Sequence, residues 1–326
     1  MKTFERLVLE QLRPMVRPFT DPLQFAYQPH LGVEDSIIFL LNRVYTHKDK
    51  LPSTVRIMFF DFSSAFNTIR PALLGEKMTA MQVEAPIVSW IVDYLTGRPQ
   101  YVRLQNCVSD RVVSNTGAPQ GTVLSPFLFT LFTSDFNYCT ESCHLQKFSD
   151  DSAIVGCIIK GDESEYRTVV GNFVTWSELN HLQLNVNKTK ELIVDLRRTK
   201  TPVTPVSIQG VPVDTVEEYK YLGVYFNNKL CWTRNTEAVY KKGQSRLFLR
   251  MLRSFNICRT LLRIFYEPVV AGTLFFTVTC WGSGLWAADK NRLNKVIRRA
   301  GDVLGEKLDT LTTVAERRML SRLSPS

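Results

Sequence analysis

The sequence contains no stretch of 18 or more uninterrupted apolar residues, the length that a membrane-spanning helix requires. Its nearest approach, Pro268 to Trp281, is too short, carries several threonines and reads as a buried helix or strand. It also lacks a cysteine framework. Cysteines at 107, 139, 143, 157, 231, 258 and 280 follow no regular spacing, and no secretory leader precedes them. A reducing compartment, nuclear or cytoplasmic, is expected. Cys139, Cys143 and His144 offer half a zinc site, but no second ligand pair follows at finger-like spacing. Internal repeats and low-complexity tracts are absent as well. Membrane-spanning, disulfide-stapled and solenoid classes are thereby set aside.

What is present is the make-up of a globular chain. Its 326 residues are 44% hydrophobic and 22% charged, enough for two or three packed subdomains. The formal net charge is +9, and residues 234–326 alone carry 17 basic and 7 acidic side chains, a net of +10. A basic C-terminal third favours a polyanionic partner through counterion release.

Periodicity predicts two helices before about His47, one with Phe4, Leu7, Val8 and Gln11 on a face, the other with Ile37, Leu40, Leu41 and Val44. Pro14, Pro18, Pro22 and Pro29 punctuate the stretch between. Val55 to Phe62 reads as a buried strand ending in Asp61, whose carboxylate needs a partner. Ile87, Trp90, Ile91 and Leu95 predict a helix stopped by Gly97, and a hairpin is expected over Gln100–Leu104 and Val108–Val113. GAPQG at 117–121 is a loop feeding a long apolar helix from about Pro126 to Phe136. Two short strands flank Asp150 and Asp151, a helix follows from about Glu163 to Asn180, and then a strand from Glu191 to Leu196. A Pro/Thr linker from Thr199 to Pro205 precedes short strands and then basic helices from about Thr236.

Adjacent aspartates usually mark an exposed turn. Here Leu145 and Phe148 on one side and Ala153, Ile154 and Val155 on the other would pin Asp150 and Asp151 at a hairpin tip. Like charges that close call for protonation or a bound cation. With Asp61 added, three hard oxygen ligands suit magnesium, with manganese as the alternative. Two such ions, roughly 4 Å apart, suit an in-line displacement at phosphorus.

Six stretches then stand in a recognisable order: QFAYQPHLGVEDSI, MFFDFSSAFNTI, TGAPQGTVLSPFLFTLF, KFSDDSAIVG, LNVNKTKELIVD and YKYLGV. The chain resembles the reverse transcriptases of non-LTR (LINE-type) retrotransposons, with the flavour of elements abundant in vertebrate, particularly fish, genomes. The resemblance implies an α+β right-hand polymerase: partial fingers over 1–56, a palm with an antiparallel sheet over 57–232 with a fingers insertion around 70–115, and a basic helical thumb over 233–326. It implies an RNA template, a DNA primer and deoxynucleoside triphosphates as partners, and no membrane.

Residue by residue, the likeness implies that Asp61 and Asp150 bind metal directly and that Asp151 completes the site. Phe66, five positions after Asp61, would exclude a ribose 2′-hydroxyl; without the motif it reads as a core aromatic. Ala65, Gln120 and Gly121 fall where the family meets the incoming nucleotide, Gly117 and Gly121 permitting close backbone approach. Lys188 matches a lysine near the leaving phosphate, with Lys190 as a rival. Tyr221, Leu222 and Gly223 resemble a primer grip, and Lys241, Lys242, Arg246, Arg250 and Arg253 would track the phosphate backbone.

The departures are Gln28, where the family usually carries arginine, the HLG that follows, and Ser149 where alanine is commoner. Met1 falls just after the expected position of the first fingers motif, so part of the fingers is expected to be missing. No endonuclease or ribonuclease H carboxylate set is visible. The rival expectation is therefore a catalytically inactive relic that binds nucleic acid without turnover.

Overall fold

The computed structural model describes residues 2–50, 54–195, 197, 203–245 and 248–323. Most of the Thr199–Pro205 linker and Arg246 lie outside the described residues. The chain divides into two compact units, one of residues 1–36 and 43–216, the other of residues 37–42 and 217–326.

The first unit is built on a five-stranded sheet. Its strands are β1 (Thr54–Phe60), β2 (Cys143–Phe148), β3 (Asp151–Ile158), β4 (Lys190–Asp195) and β5 (Asp214–Val216), in the order β5-β4-β1-β3-β2. The β1–β3, β1–β4 and β2–β3 pairs are antiparallel, while the edge strand β5 runs parallel to β4. All seven residues of β1 are buried, as expected of a central strand flanked on both edges and covered on its faces. Alternation sends Met58 and Phe60 into one core, with Ile154, Phe173 and Leu182. Phe173 comes from helix α6 (Ser164–Leu179) and meets the ring of Phe60 at 4.6 Å between centroids. Such aromatic pairs add about 0.5–1.5 kcal/mol beyond their area.

Beneath β1, the buried guanidinium of Arg56 donates to both carboxylate oxygens of Glu191 on β4 at 2.9 and 2.8 Å, and to Glu163 at 2.6 Å. Tyr166 on α6 donates to Glu191 at 2.5 Å. Burial opposes the charge on Arg56, but the hydrogen bonds and field of Glu191 hold it protonated. Gly156 makes room for this arrangement, since a Cβ there would lie 2.5 Å from the Tyr166 ring.

The remaining helices of this unit are α1 (Lys2–Val16), most of α2 (Val33–Lys50), α3 (Pro71–Ala80), α4 (Ala85–Leu95) and α5 (Leu124–Phe132). The buried face of α1 is not the expected one. Glu5, Leu9, Leu12 and Val16 point inward, while Phe4 and Leu7 are exposed. The reason is polar: the Glu5 carboxylate accepts from the Val123 backbone N–H at 2.6 Å, holding the N-terminus of α5, and from Tyr94 at 3.3 Å. Helix α5 ends four residues short of its expected limit, and eight of its nine residues are buried rather than one face. The expected hairpin over Gln100–Leu104 and Val108–Val113 is two short ladders, Arg98–Gln100 with Val112–Ser114 and Arg103–Leu104 with Cys107–Val108.

The second unit opens with the hairpin Glu218–Tyr221 and Val224–Asn227, which the sequence reading groups with the palm. Helices α7 (Thr233–Ser245), α8 (Leu249–Ser254), α9 (Arg259–Tyr266), α10 (Ala287–Leu304) and α11 (Leu311–Leu323) follow, with shorter helical pieces between. The region expected to be too short to span a membrane belongs to a longer helical run, Arg259–Trp281, of 23 residues. It extends because α9 continues through a π-helical turn at Glu267–Ala271. Length and composition alone would let it cross a membrane; within the protein, 44% of its apolar window is buried.

Candidate active site

Strand β1 delivers Asp61 one residue past its last paired position, Phe60↔Ser152. Because β3 begins at Asp151, the same register sets Asp61 and Asp151 side by side at the sheet edge. Strands β2 and β3 are joined through the pair Phe148↔Asp151, which leaves Ser149 and Asp150 as a two-residue turn. Ser149 has φ +60°. Glycine is the usual residue at such a position, and a non-glycine residue in the left-handed region costs roughly 1–2 kcal/mol.

Burial, then the charge of Asp150, then that of Asp61 push the Asp151 carboxyl up from 3.8 to about 6. Asp61 Oδ2 is buried without a hydrogen-bond partner, and the Lys188 ammonium stands 3.8 Å from it. Lys188 arrives there because residues 183–188 run beside the Asp61 turn. Ser63 N–H donates to Gln183 O, Asn185 N–H donates to Asp61 O, each at 2.8 Å, and Phe62 bridges Leu184. The rival Lys190 is engaged elsewhere, donating to Asp214 and to the Asn187 carbonyl, both at 2.6 Å.

Phe66 lies on a short 3₁₀ turn, Ala65–Asn67, and stacks on Phe129 of α5 at 4.7 Å. The GAPQG loop packs against this turn: Gly117 N–H donates to Ile69 O at 2.7 Å and Ala118 N–H to Phe66 O at 2.9 Å. Gly117, at φ +74°, is required there, because a Cβ would sit 2.7 Å from Asn67 Cα. Gly121, at φ +77°, is exposed and meets nothing, so only its conformation favours glycine. Gln120 is exposed on a cleft of about 850 Å³ that it shares with Asn67, Tyr94 and Arg98.

A family model described as reverse transcriptase (RNA-dependent DNA polymerase) matches residues 1–226, more than two thirds of the chain. The chain belongs to the reverse transcriptase family. It is 27% identical over 315 residues to a probable RNA-directed DNA polymerase from transposon BS of Drosophila melanogaster, covering 90% of this chain and 33% of that protein. It is 23% identical over 312 residues to the RNA-directed DNA polymerase from mobile element jockey of Drosophila funebris, again 90% and 33%. The chain thus spans about a third of the length of these relatives. They support the non-LTR resemblance and lend nothing to its vertebrate flavour. Among solved structures it is similar to Candida tropicalis telomerase in complex with a fragment of telomeric RNA, with TM-score 0.52 and 12% identity, covering 91% of this chain and 46% of that one. The apo telomerase of that organism gives 0.51 and 13%, covering 93% and 49%. The fold is that of a right-hand polymerase. A second family model, alkylated DNA repair protein alkB homolog 8, N-terminal, matches residues 232–270 only.

Reverse transcriptases generally use divalent metal ions. Among the described residues, no three side chains of histidine, cysteine, aspartate or glutamate are grouped to hold an ion unaided. The expected cage is therefore not preformed. The chemistry still fits magnesium, which takes one or two carboxylates and completes its shell with water and substrate phosphates. The unpartnered Asp61 Oδ2, and the burial and like charges that raise the Asp151 carboxyl, fit a divalent cation at this end of the sheet.

In the second unit, Leu222 (φ +47°) and Gly223 (φ +90°) form a two-residue hairpin turn next to buried Tyr221. Lys241, Lys242 and Arg250 are exposed, Lys241 being paired with Glu237 at 2.7 Å. Arg253 donates to the Val303 carbonyl at 2.7 Å and so caps the C-terminal end of α10. Sequence reasoning missed two cationic residues of α1 and its continuation, Arg13 and Arg17, which line a cavity of about 1000 Å³ with Gln28, Tyr27 and His30. Their signal was a basic pair four apart, each directly before a proline, visible but unspecific.

Proposed function

We propose that this chain is the polymerising portion of a transposon reverse transcriptase, adding deoxynucleotides to a DNA 3′ end copied from RNA, with pyrophosphate released. The observation that carries the reading is the under-neutralised carboxylate cluster at the open end of β1 and the β2–β3 turn. Two magnesium ions, or manganese, would be held by Asp61, Asp150 and Asp151, and when bound they supply activation of the 3′-hydroxyl and neutralisation of phosphate charge.

The chain's own residues orient the substrates around that cluster. Phe66, braced by Phe129, walls the sugar side and rejects a 2′-hydroxyl by bulk. Ala65, Gln120 and Gly121 line the nucleotide, the loop being fixed to the Phe66 turn through Gly117 and Ala118. Lys188 offers a proton or positive charge to the leaving phosphate. Tyr221, Leu222 and Gly223 grip the primer end, while Lys241, Lys242, Arg246 and Arg250 follow the phosphate backbone. Arg253 belongs to this set more through its helix cap than through a free charge. Arg13 and Arg17 supply beside Gln28 the positive charge that Gln28 lacks.

Asp150→Ala and Asp151→Ala chains are compared with wild type on a primed RNA template in magnesium. Loss of incorporation in both is expected, and equal incorporation by all three refutes the assignment. An inactive relic, by contrast, would bind primer-template and extend nothing in the wild type.

A further inference from the structure

The aspartate turn is held from outside the sheet. Residues Leu23–Phe25 lie along the β2 edge, Lys147 N–H donating to Leu23 O and Phe25 N–H to Lys147 O, each at 2.8 Å. This seats the side chain of Gln24, which is buried, against the backbone of Ser149. Its Oε1 accepts from Ser149 N–H at 2.9 Å and its Nε2 donates to Ser149 O at 3.2 Å. One amide therefore reads both backbone groups of the left-handed residue. Gln24 is itself fixed: Oε1 also accepts from Ala26 N–H at 3.1 Å, and its own N–H donates to Asp21 O at 3.1 Å. The strap is anchored below by the buried ion pair of Lys147 with Asp21 at 2.7 Å, and above by the hydroxyls of Tyr27 and Ser149, 3.2 Å apart.

We infer that Gln24 is a positioning residue for the metal site, clamping Ser149 at positive φ so that Asp150 and Asp151 project together toward Asp61. The inference rests on the proposed function. A two-residue turn without glycine at its first position has no intrinsic preference for this geometry, so a partner that satisfies both its N–H and its C=O selects it. Water can satisfy those groups in other backbone conformations, but a rigid amide cannot.

The test is Mn²⁺ titration of the 326-residue chain, followed by electron paramagnetic resonance, with primer-template affinity measured alongside. Gln24→Ala is expected to weaken Mn²⁺ binding about tenfold, the effect typical of outer-shell support, while leaving primer-template affinity unchanged. Adding Ser149→Gly to Gln24→Ala is expected to restore Mn²⁺ affinity, because glycine takes positive φ without a side-chain penalty. A role in general packing would not be rescued that way. Gln24→Met keeps most of the volume while losing both bonds to Ser149, so it should also weaken Mn²⁺ binding and serves if Gln24→Ala does not fold. Wild-type affinity in Gln24→Met, or failure of Ser149→Gly to rescue Gln24→Ala, overturns the clamp. Asp150→Ala separates the two ideas. If it loses Mn²⁺ while Gln24→Ala does not, the clamp alone falls; if it binds like wild type, the site reading falls and takes the clamp with it.

Discussion

Replacing Asp151 by asparagine should stabilise the metal-free protein while removing part of its response to metal. The displacement of this carboxyl from 3.8 to about 6 corresponds to about 3 kcal/mol opposing ionisation, were the group fully enclosed. Asp151 is exposed at its rim, so solvent screening reduces the figure to about 1 kcal/mol. Since the folded-state value is raised, this group's contribution is most favourable below pH 4 and is lost as pH rises through about 6. In EDTA at pH 7.5, Asp151→Asn should therefore melt about 1–2 °C above wild type, and the gap should close near pH 4, where both side chains are neutral. Magnesium at millimolar concentration should raise the wild-type melting temperature more than that of Asp151→Asn, because a ligand stabilises the state that binds it. Scanning fluorimetry across pH, with and without metal, measures all of this. A metal-free Asp151→Asn protein that melts below wild type at pH 7.5, or a gap that persists at pH 4, would show that burial and repulsion among these carboxylates do not set the environment of Asp151.

Other substitutions test other parts of the same structure. Arg56→Met leaves Glu191 charged and buried with only Tyr166 beside it, so urea denaturation should show a loss of about 3–5 kcal/mol, and a loss under about 1 would deny the network its structural role. Lys188→Ala should lower the primer-extension rate by about 10²-fold, the low end for a group that donates a proton, whereas Lys190→Ala, tied to Asp214, should change it little; equal effects would remove the distinction. Gly117→Ala forces a Cβ against Asn67 at positive φ and should cost about 1–3 kcal/mol, with reduced nucleotide affinity, read by denaturation and steady-state kinetics. Burial lowers the His144 imidazole to about 4, so its contribution is complete above pH 6.5 and lost as pH falls toward 4. Wild-type stability should accordingly drop by up to about 3 kcal/mol over that range relative to His144→Gln, and parallel pH profiles would contradict it.

The parts of this protein legible in its sequence are those that local pattern dictates. An unbroken β-branched and aromatic run marked the central strand, the Ile37, Leu40, Leu41 and Val44 spacing marked the buried face of α2, and paired aspartates between apolar flanks marked the hairpin tip. What stayed hidden depends on partners far along the chain. Hydrophobic period alone turned α1 toward Phe4 and Leu7, because nothing local reveals that Glu5 is bound for Val123, 118 residues away. Gln24 finds Ser149 at a separation of 125 residues, and Arg56 finds Glu191 at 135. The resemblance favours Lys188 with Lys190 as a rival, and the structure separates them by placing Lys188 beside Asp61 and tying Lys190 to Asp214 on the neighbouring parallel strand. Buried polar groups carry no periodic signature, yet each must be satisfied, so they are where reading by pattern fails first.

That contrast also explains why the acidic cluster is informative. Elsewhere in the first unit the fold closes its buried charges tightly: Lys147 with Asp21 at 2.7 Å, Arg56 with Glu191 at 2.8 Å. At the sheet end it does not. Asp61 keeps an oxygen without a hydrogen-bond partner, the largely exposed Lys188 ammonium stands 3.8 Å from it, and Asp151 is driven toward neutrality by burial and then by its charged neighbours. Burial and like charge at this strand end oppose ionisation of Asp151 beside Asp150 and Asp61, a situation that either protonation or a bound cation relieves.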